Sequence, residues 1–343
     1  MHIPDGYLSP ATCALFYAGM APVWFVSARK AERALKLKQL PLLSFGAAFA
    51  FVIMMFNIPV PGGTSGHMAA TTLMAIILGP WAAVIALTLA LSLQAFFFGD
   101  GGITTLAANC FNMAALMSFG GYYTYRLISA GAKPLQGAEP PRGDAGRLRR
   151  VIASAIGAYV AVNIAAFAAA MELGIQPLVA ADALGRPLYA PYPLSIALPA
   201  MMIPHLLIFG PVEAFGTALA VSFIHRTDSA MLHAAGGAGG SLKPLWILLA
   251  IMIILTPLGL VATGTPWGEW GKGELAGLVG YVPAGMHRLG EMWTGVMPSY
   301  GIKGLNAVFG ERLGSVAGYV IAATAGSAGV ILAVYLWGRI WRK

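Results

Sequence analysis

Charge is scarce in this chain: Asp, Glu, Lys and Arg make up 10% of its 343 residues, where an ordinary soluble domain carries about 25%. That scarcity excludes a soluble enzyme. Cysteine is nearly absent as well. Cys13 and Cys110 both fall in apolar stretches, so neither a disulfide framework nor a CxxC metal site is available, and both read as small core residues. No GxxxxGK[ST] phosphate loop, HExxH zinc pair, GxGxxG dinucleotide turn or GxSxG elbow occurs, so any ATP the protein uses is bound elsewhere. Without a paired nucleophile and base, an intramembrane hydrolase is disfavoured too, and no enzymatic activity or catalytic cofactor is expected. The start, Met1-His-Ile-Pro-Asp-Gly-Tyr-Leu-Ser-Pro10, has no Lys or Arg and includes an Asp. A secretory signal opens basic, so this segment is expected to stay on the mature protein.

What the chain does have is apolar sequence. Its 58% hydrophobic content is enough for roughly nine or ten helices of roughly 20 residues each, which predicts an all-α polytopic membrane protein. Candidate helices run over 11–28, 41–57, 65–78, 80–98, 104–128, 150–172, 194–224, 244–262 and 315–340. Gly79-Pro80 divides the third from the fourth, because proline removes a backbone donor and disfavours helix before it. Despite Pro199, Pro204 and Pro211, the charge pattern prefers a single kinked crossing over 194–224. About seven helices (residues 1–225) are thus separated from a two-helix hairpin (244–343) by a linker, 226–243, whose Gly236–Gly240 run has flexible composition. The hairpin encloses an outer loop, 263–314, that does not read as an enzyme core.

The net charge of +8 would suggest nucleic acid in a soluble protein; in a membrane chain it speaks first of topology. With the N-terminus outside, 16 of the 21 basic residues fall in cytoplasmic loops and at the C-terminus, which predicts a multi-pass protein of the cytoplasmic (inner) membrane, N-terminus out and C-terminus in. Its surroundings are lipid, and no nucleic-acid partner is expected. Small residues recur at every fourth position in Ala82, Ala86 and Ala90, in Ala153, Gly157, Ala161, Ala165 and Ala169, and in Gly318, Ala322 and Gly326. Such stripes let helix backbones approach closely in lipid, which favours internal packing over a docking face.

The chemistry concentrates at the start. The α-amine of Met1, the backbone amide of His2 and the His2 imidazole Nδ1 can close adjacent five- and six-membered chelate rings around one metal, three nitrogens nearly in a plane. One further imidazole completes a square, the preference of Ni(II) or Cu(II). Deprotonating the amide releases protons, so affinity should rise with pH. The candidate fourth ligand is His67, in the Gly-rich stretch Pro61-Gly-Gly-Thr-Ser-Gly-His67 on the same outer side. Each feature alone has a bland reading, a chance Met-His start and a helix-capping histidine. Asn109 and Asn112, spaced i, i+3 on one helix face, read either as donors orienting His2 or His67 or as interhelical hydrogen bonds. His205 and Glu213 read first as a structural pair. His225, His233 and His287 are expected to be solvated.

Four segments in order carry a family resemblance: Met1-His-Ile-Pro-Asp-Gly-Tyr-Leu8; Val60-Pro-Gly-Gly-Thr-Ser-Gly-His67; Leu78-Gly-Pro-Trp-Ala-Ala83; and Phe98-Gly-Asp-Gly-Gly-Ile-Thr-Thr-Leu-Ala-Ala-Asn-Cys-Phe-Asn-Met113. Over residues 1 to about 225 the chain resembles the CbiM/NikM substrate-capture (S) components of energy-coupling-factor transporters for cobalt and nickel. The stretch 244–343, with Thr263-Gly-Thr-Pro-Trp-Gly-Glu-Trp-Gly271, is similar more loosely to the small NikN/CbiN accessory subunit, fused through the linker. The resemblance implies a seven-helix bundle whose extra N-terminal helix presents Met1 and His2. It also implies metal ligation by the Met1 amine, the His2 amide and imidazole, and the His67 ring, with Ser65, Asn109 and Asn112 as candidate supports. Partners would be a transmembrane coupling (T) component and a pair of cytoplasmic ATPases. The cargo would be Ni²⁺ or Co²⁺. The rival from another class is a secondary, ion-gradient-driven divalent metal permease, which calls for paired mid-membrane carboxylates and an internal repeat. Only Glu213 reads as a deep carboxylate, and no repeat is visible.

Overall fold

The computed structural model describes residues 1–35, 39–60, 64–129, 144–227, 242–262, 264–290 and 292–340. The Gly236–Gly240 run and His233 lie outside the described residues. Six described helices are long and apolar enough to cross a membrane: Pro10–Ala34, Pro80–Phe98, Gly146–Val179, Leu194–Arg226, Lys243–Val261 and Leu305–Ile340. A seventh apolar helix, Leu40–Met54, is shorter. Leu15, Phe215, Leu219 and Ile254 stand on the outside of the assembly, apolar surface of the kind lipid covers. The chain is an all-α polytopic membrane protein.

Helix α1 (Pro10–Ala34) starts where the Ser9 side chain accepts the Thr12 amide and Pro10 takes the first turn, a position where a missing N–H costs nothing. Helix α2 is Leu40–Met54. The helix expected over 65–78 is corrected: strands β1 (Ile58–Val60) and β2 (Thr64–Gly66) pair antiparallel there, Ile58 opposite Gly66. Ala70 then sits at φ +56°, and α3 covers only Thr71–Leu78. Eight residues at 1.5 Å each do not reach across a hydrocarbon core of about 30 Å. The break at Gly79-Pro80 is where the sequence places it, with Gly79 at φ +85° and α4 spanning Pro80–Leu93 before a π-helical turn, Gln94–Phe98.

From Leu106 to Ser129 the chain is helical throughout, as α5 (Leu106–Asn109), a π segment (Cys110–Leu116) and α6 (Met117–Ser129). Helix α7 (Asp144–Gly174) is followed by the short α8 (Gln176–Val179). Helices α9 (Leu194–Pro204) and α10 (Gly210–Thr227) run on through a π turn at His205–Phe209, which absorbs the amides missing at Pro204 and Pro211 without ending the crossing. Beyond the linker come α11 (Lys243–Leu255), α12 (Lys272–Val279), α13 (Ala284–Leu289) and α14 (Leu305–Ile340). Helix α14 begins ten residues earlier than 315 and breaks at Gly310, φ +78°.

Helix α7 packs against α6, α9 and α10, and α14 against α2 and α4. The small-residue stripes serve this packing. Ala82, Ala86, Ala90, Ala153, Ala161, Ala165, Ala169 and Ala322 are all buried, and a Cβ on Gly326 would fall 2.1 Å from the Phe51 ring. Cys13 and Cys110 are buried and unbridged. The C-terminal helices therefore pack on the bundle, and Glu269 and Trp270 between α11 and α12 reach the N-terminal residues.

Candidate metal site

Residues 1–9 form an irregular plug set into one end of the bundle. Ile3, Tyr7 and Leu8 are fully buried. The Ile3 amide donates to Asn109 Oδ1 at 2.8 Å, and Asn109 Nδ2 donates back to the Ile3 carbonyl at 3.1 Å. The Gly102 amide reaches the same carbonyl at 2.9 Å. Asp5 accepts the Ile103 and Thr104 amides at 3.0 and 2.7 Å and the Thr104 hydroxyl. Tyr7 Oη donates to the Trp270 carbonyl at 2.9 Å, and the Ser9 amide to Gln176 Oε1 at 2.9 Å. The Ile3, Ser9, Ile103 and Thr104 amides are thus held by side chains, which replace the partners a helix or sheet would supply.

This pinning brings the predicted nitrogens together. The Met1 amine and the His2 amide both donate to one oxygen, Glu269 Oε1, at 3.0 and 3.1 Å. His2 Nδ1 lies 2.9 Å from Asp100 Oδ1. Tyr300 Oη holds the other Asp100 oxygen at 2.5 Å and itself accepts Gln94 Nε2 at 3.1 Å. All three nitrogens of the expected chelate are therefore engaged by carboxylates, and closing the six-membered ring requires His2 Nδ1 to give up Asp100. The His67 ring stands 5.0 Å from the His2 ring, centroid to centroid, at 81°. His67 Nδ1 lies 3.0 Å from the Met68 carbonyl. A carbonyl only accepts, so the proton is on Nδ1 and the lone pair on Nε2 faces away from that bond.

Electrostatics sharpen the division. Burial, then the positive His2 and N-terminal amine, push the His67 imidazole down to about 3, so it stays a neutral potential ligand. Burial would lower His2 as well, but the Asp100 charge and hydrogen bond outweigh it and the imidazole is raised. Asp100 is held below the usual carboxylate range because His2 and the Tyr300 hydroxyl outweigh the opposing effect of burial.

Asn109 grips Ile3, the residue after His2, through both its amide and its carbonyl. Asn112 Nδ2 donates to Glu172 at 3.0 Å on α7. Ser65 Oγ donates to the Gly264 carbonyl at 2.6 Å and lines a cavity of about 20 Å³ with Met1, His67, Met201 and His205. His205 and Glu213 are not paired: His205 Nδ1 bonds the Met201 carbonyl at 2.7 Å, and Glu213 accepts the Ala69 amide at 2.9 Å, steadying the turn after His67. His287 is exposed and His225 half-buried, so solvation holds for the first only. Asp100, Glu269 and Tyr300 were not singled out from sequence. The signal available was an acid set among glycines and tryptophans, Gly99-Asp-Gly101 and Trp267-Gly-Glu-Trp270, in a chain with 13 acids in all.

Among the described residues no three His, Cys, Asp or Glu side chains gather into a metal-holding group. A metal here would depend on main-chain nitrogen together with the two imidazoles.

A family model described as "Cobalt uptake substrate-specific transmembrane region" (CbiM) matches residues 2–231. A fused nickel transport protein NikMN of Rhodobacter capsulatus is 43% identical over 353 residues, covering 98% of this chain and 96% of its own. A probable fused nickel transport protein LarMN of Lactiplantibacillus plantarum is 41% identical, covering 94% and 95%. The crystal structure of a truncated transition metal transporter, 50% identical, superposes with a TM-score of 0.59 over 66% of this chain and 99% of that one.

Proposed function

We propose that this chain, which belongs to the CbiM family of cobalt uptake substrate-specific transmembrane regions, is the metal-binding membrane subunit of an ATP-driven energy-coupling-factor importer for Ni²⁺ or Co²⁺. Residues 1–225 capture the metal, 226–243 link on the cytoplasmic side and 244–343 form the accessory part. The protein sits in the inner membrane with its N-terminus outside and C-terminus inside. A transmembrane coupling component and a pair of cytoplasmic ATPases supply the nucleotide chemistry absent from this sequence.

The observation that carries the reading is the convergence of the Met1 amine and His2 amide on one oxygen beside the facing rings of His2 and His67. The cargo ion takes the Met1 amine, the His2 amide and imidazole Nδ1, and one nitrogen of His67. An amine proton, the amide proton and the Nδ1 proton that His2 gives Asp100 leave as the metal–nitrogen bonds form, so binding tightens as pH rises. Planar nitrogen donors suit Ni(II), and both full-length relatives above are named for nickel. Nickel is the first ion to test.

The experiment alters the N-terminus alone. Acetylating the Met1 amine, or inserting one Gly before His2, leaves every side chain in place yet breaks the five-membered ring. Both forms should lose high-affinity Ni²⁺ binding and its planar Ni(II) absorption, while Ile3→Val keeps them. Unchanged binding by an N-terminally blocked protein refutes the chelate.

A gradient-driven permease is the second reading. Glu172 and Glu213 are both buried inside helices, each with one oxygen that has no partner among the described residues, two deep carboxylates where the sequence suggested one. Ion-gradient-driven accumulation in liposomes holding this chain alone would favour it.

A further inference from the structure

We propose that Glu269, on the outer loop of the C-terminal hairpin, is the loading ligand of the metal site: it binds the incoming divalent cation first and passes it to the Met1 amine and the His2 amide. The inference rests on the reading of Met1 and His2 as ligands.

Glu269 Oε1 accepts from both nitrogens at 3.0 and 3.1 Å. An atom that meets both donors along their N–H directions lies where a chelated metal meets their lone pairs once the protons are gone. One carboxylate oxygen thus takes the place that the metal would hold between the two nitrogens. Its backbone is fixed there by a turn in which the Glu269 amide donates to the Pro266 carbonyl at 3.0 Å. Trp267, Trp270 and Tyr192 pack around that turn with ring centroids 5.5 to 5.6 Å apart.

Access runs the same way. The Glu269 side chain is 16% exposed, so the carboxylate can be met by a cation from outside. Neither nitrogen is a ligand while it carries the proton it gives Glu269. An anionic oxygen is a ligand at once, and its charge in a low-dielectric rim draws cations in. Loading therefore begins with one metal–oxygen bond to Glu269. Two metal–nitrogen bonds then form as one amine proton and the amide proton leave to solvent, and the metal–oxygen bond breaks.

A ligand that serves only the passage speeds entry and exit alike. Glu269→Gln keeps the shape and removes the charge. In stopped-flow binding of Ni²⁺ to the full chain in nanodiscs, association and dissociation should both slow by about tenfold or more, with Kd changed less than about threefold and Glu269→Asp restoring part of the rate. Thermal melting equal to the native protein's keeps the comparison fair; if Glu269→Gln does not fold, the native–Glu269→Asp rate difference decides. Unchanged or faster association in Glu269→Gln overturns the proposal, the faster rate identifying a latch that merely keeps nickel out. Loss of binding on Met1 acetylation with native rates in Glu269→Gln leaves the metal site standing and refutes the loading role. Native binding after acetylation removes the site and the loading role together.

Discussion

His2 and His67 face each other edge to plane, ring centroids 5.0 Å apart at 81°, although one sits in the N-terminal plug and the other in the turn after β2. Each Nδ1 is already committed, to Asp100 and to the Met68 carbonyl. His2 Nε2 is buried with no partner among the described residues. Such a nitrogen costs about 1 to 3 kcal/mol when left unsatisfied, a cost that persists only where surrounding contacts impose the arrangement.

His67→Ala isolates the second imidazole. The side chain makes one hydrogen bond, to its neighbour's carbonyl, so the variant should fold and melt close to the native protein. Ni²⁺ affinity should fall by more than about 100-fold, since outer-shell changes alone cost about 10 to 100-fold. Calorimetric titration beside a thermal melt measures both, and native affinity in the variant would remove His67 from the site.

Asn109→Ala tests whether the plug is preorganised. Asn109 is buried and bonds both the amide and the carbonyl of Ile3. The carbonyl keeps the Gly102 amide, but the Ile3 amide loses its acceptor at about 1 to 3 kcal/mol. Hydrogen exchange over residues 2–7 should accelerate and Ni²⁺ affinity drop about 10- to 100-fold, with the remaining helices protected as before. Unchanged exchange at Ile3 would show that Asn109 does not hold the plug.

Gly66→Ala probes the seat of His67. A Cβ there would lie 2.5 Å from the Phe209 ring, whose edge belongs to the π turn between α9 and α10. Overpacking of this kind costs about 1 to 3 kcal/mol. The variant should melt lower and bind metal more weakly, and Phe209→Leu in the same chain should recover part of both. Absence of recovery would place the strain elsewhere.

The long apolar runs made the helices at 10–34, 80–98 and 194–226 legible from sequence, and Gly79-Pro80 marked its own break. The stretch 65–78 misled because its apolar part begins beside a glycine-rich hairpin, and composition does not show that Ala70 turns left-handed and delays the helix. Met1, His2 and His67 were legible because their chemistry is local to the chain terminus and a short motif. Asp100, Glu269 and Tyr300 were not. Their contribution comes from long-range placement: Glu269 reaches Met1 across 268 positions, and Tyr300 reaches Asp100 across 200. Hydrophobic periodicity carries no information at that range.

The last prediction concerns energy coupling. The sequence has no phosphate loop. The purified chain in liposomes should therefore bind Ni²⁺ stoichiometrically yet show no ATP hydrolysis. Sustained uptake should appear only when a coupling component and an ATPase pair are added with ATP, and His67→Ala should abolish that uptake while the assembled complex still forms. ATP turnover by this chain alone would contradict the assignment. Accumulation driven by a proton or sodium gradient without the partners would transfer the function to the permease reading and to the buried carboxylates Glu172 and Glu213.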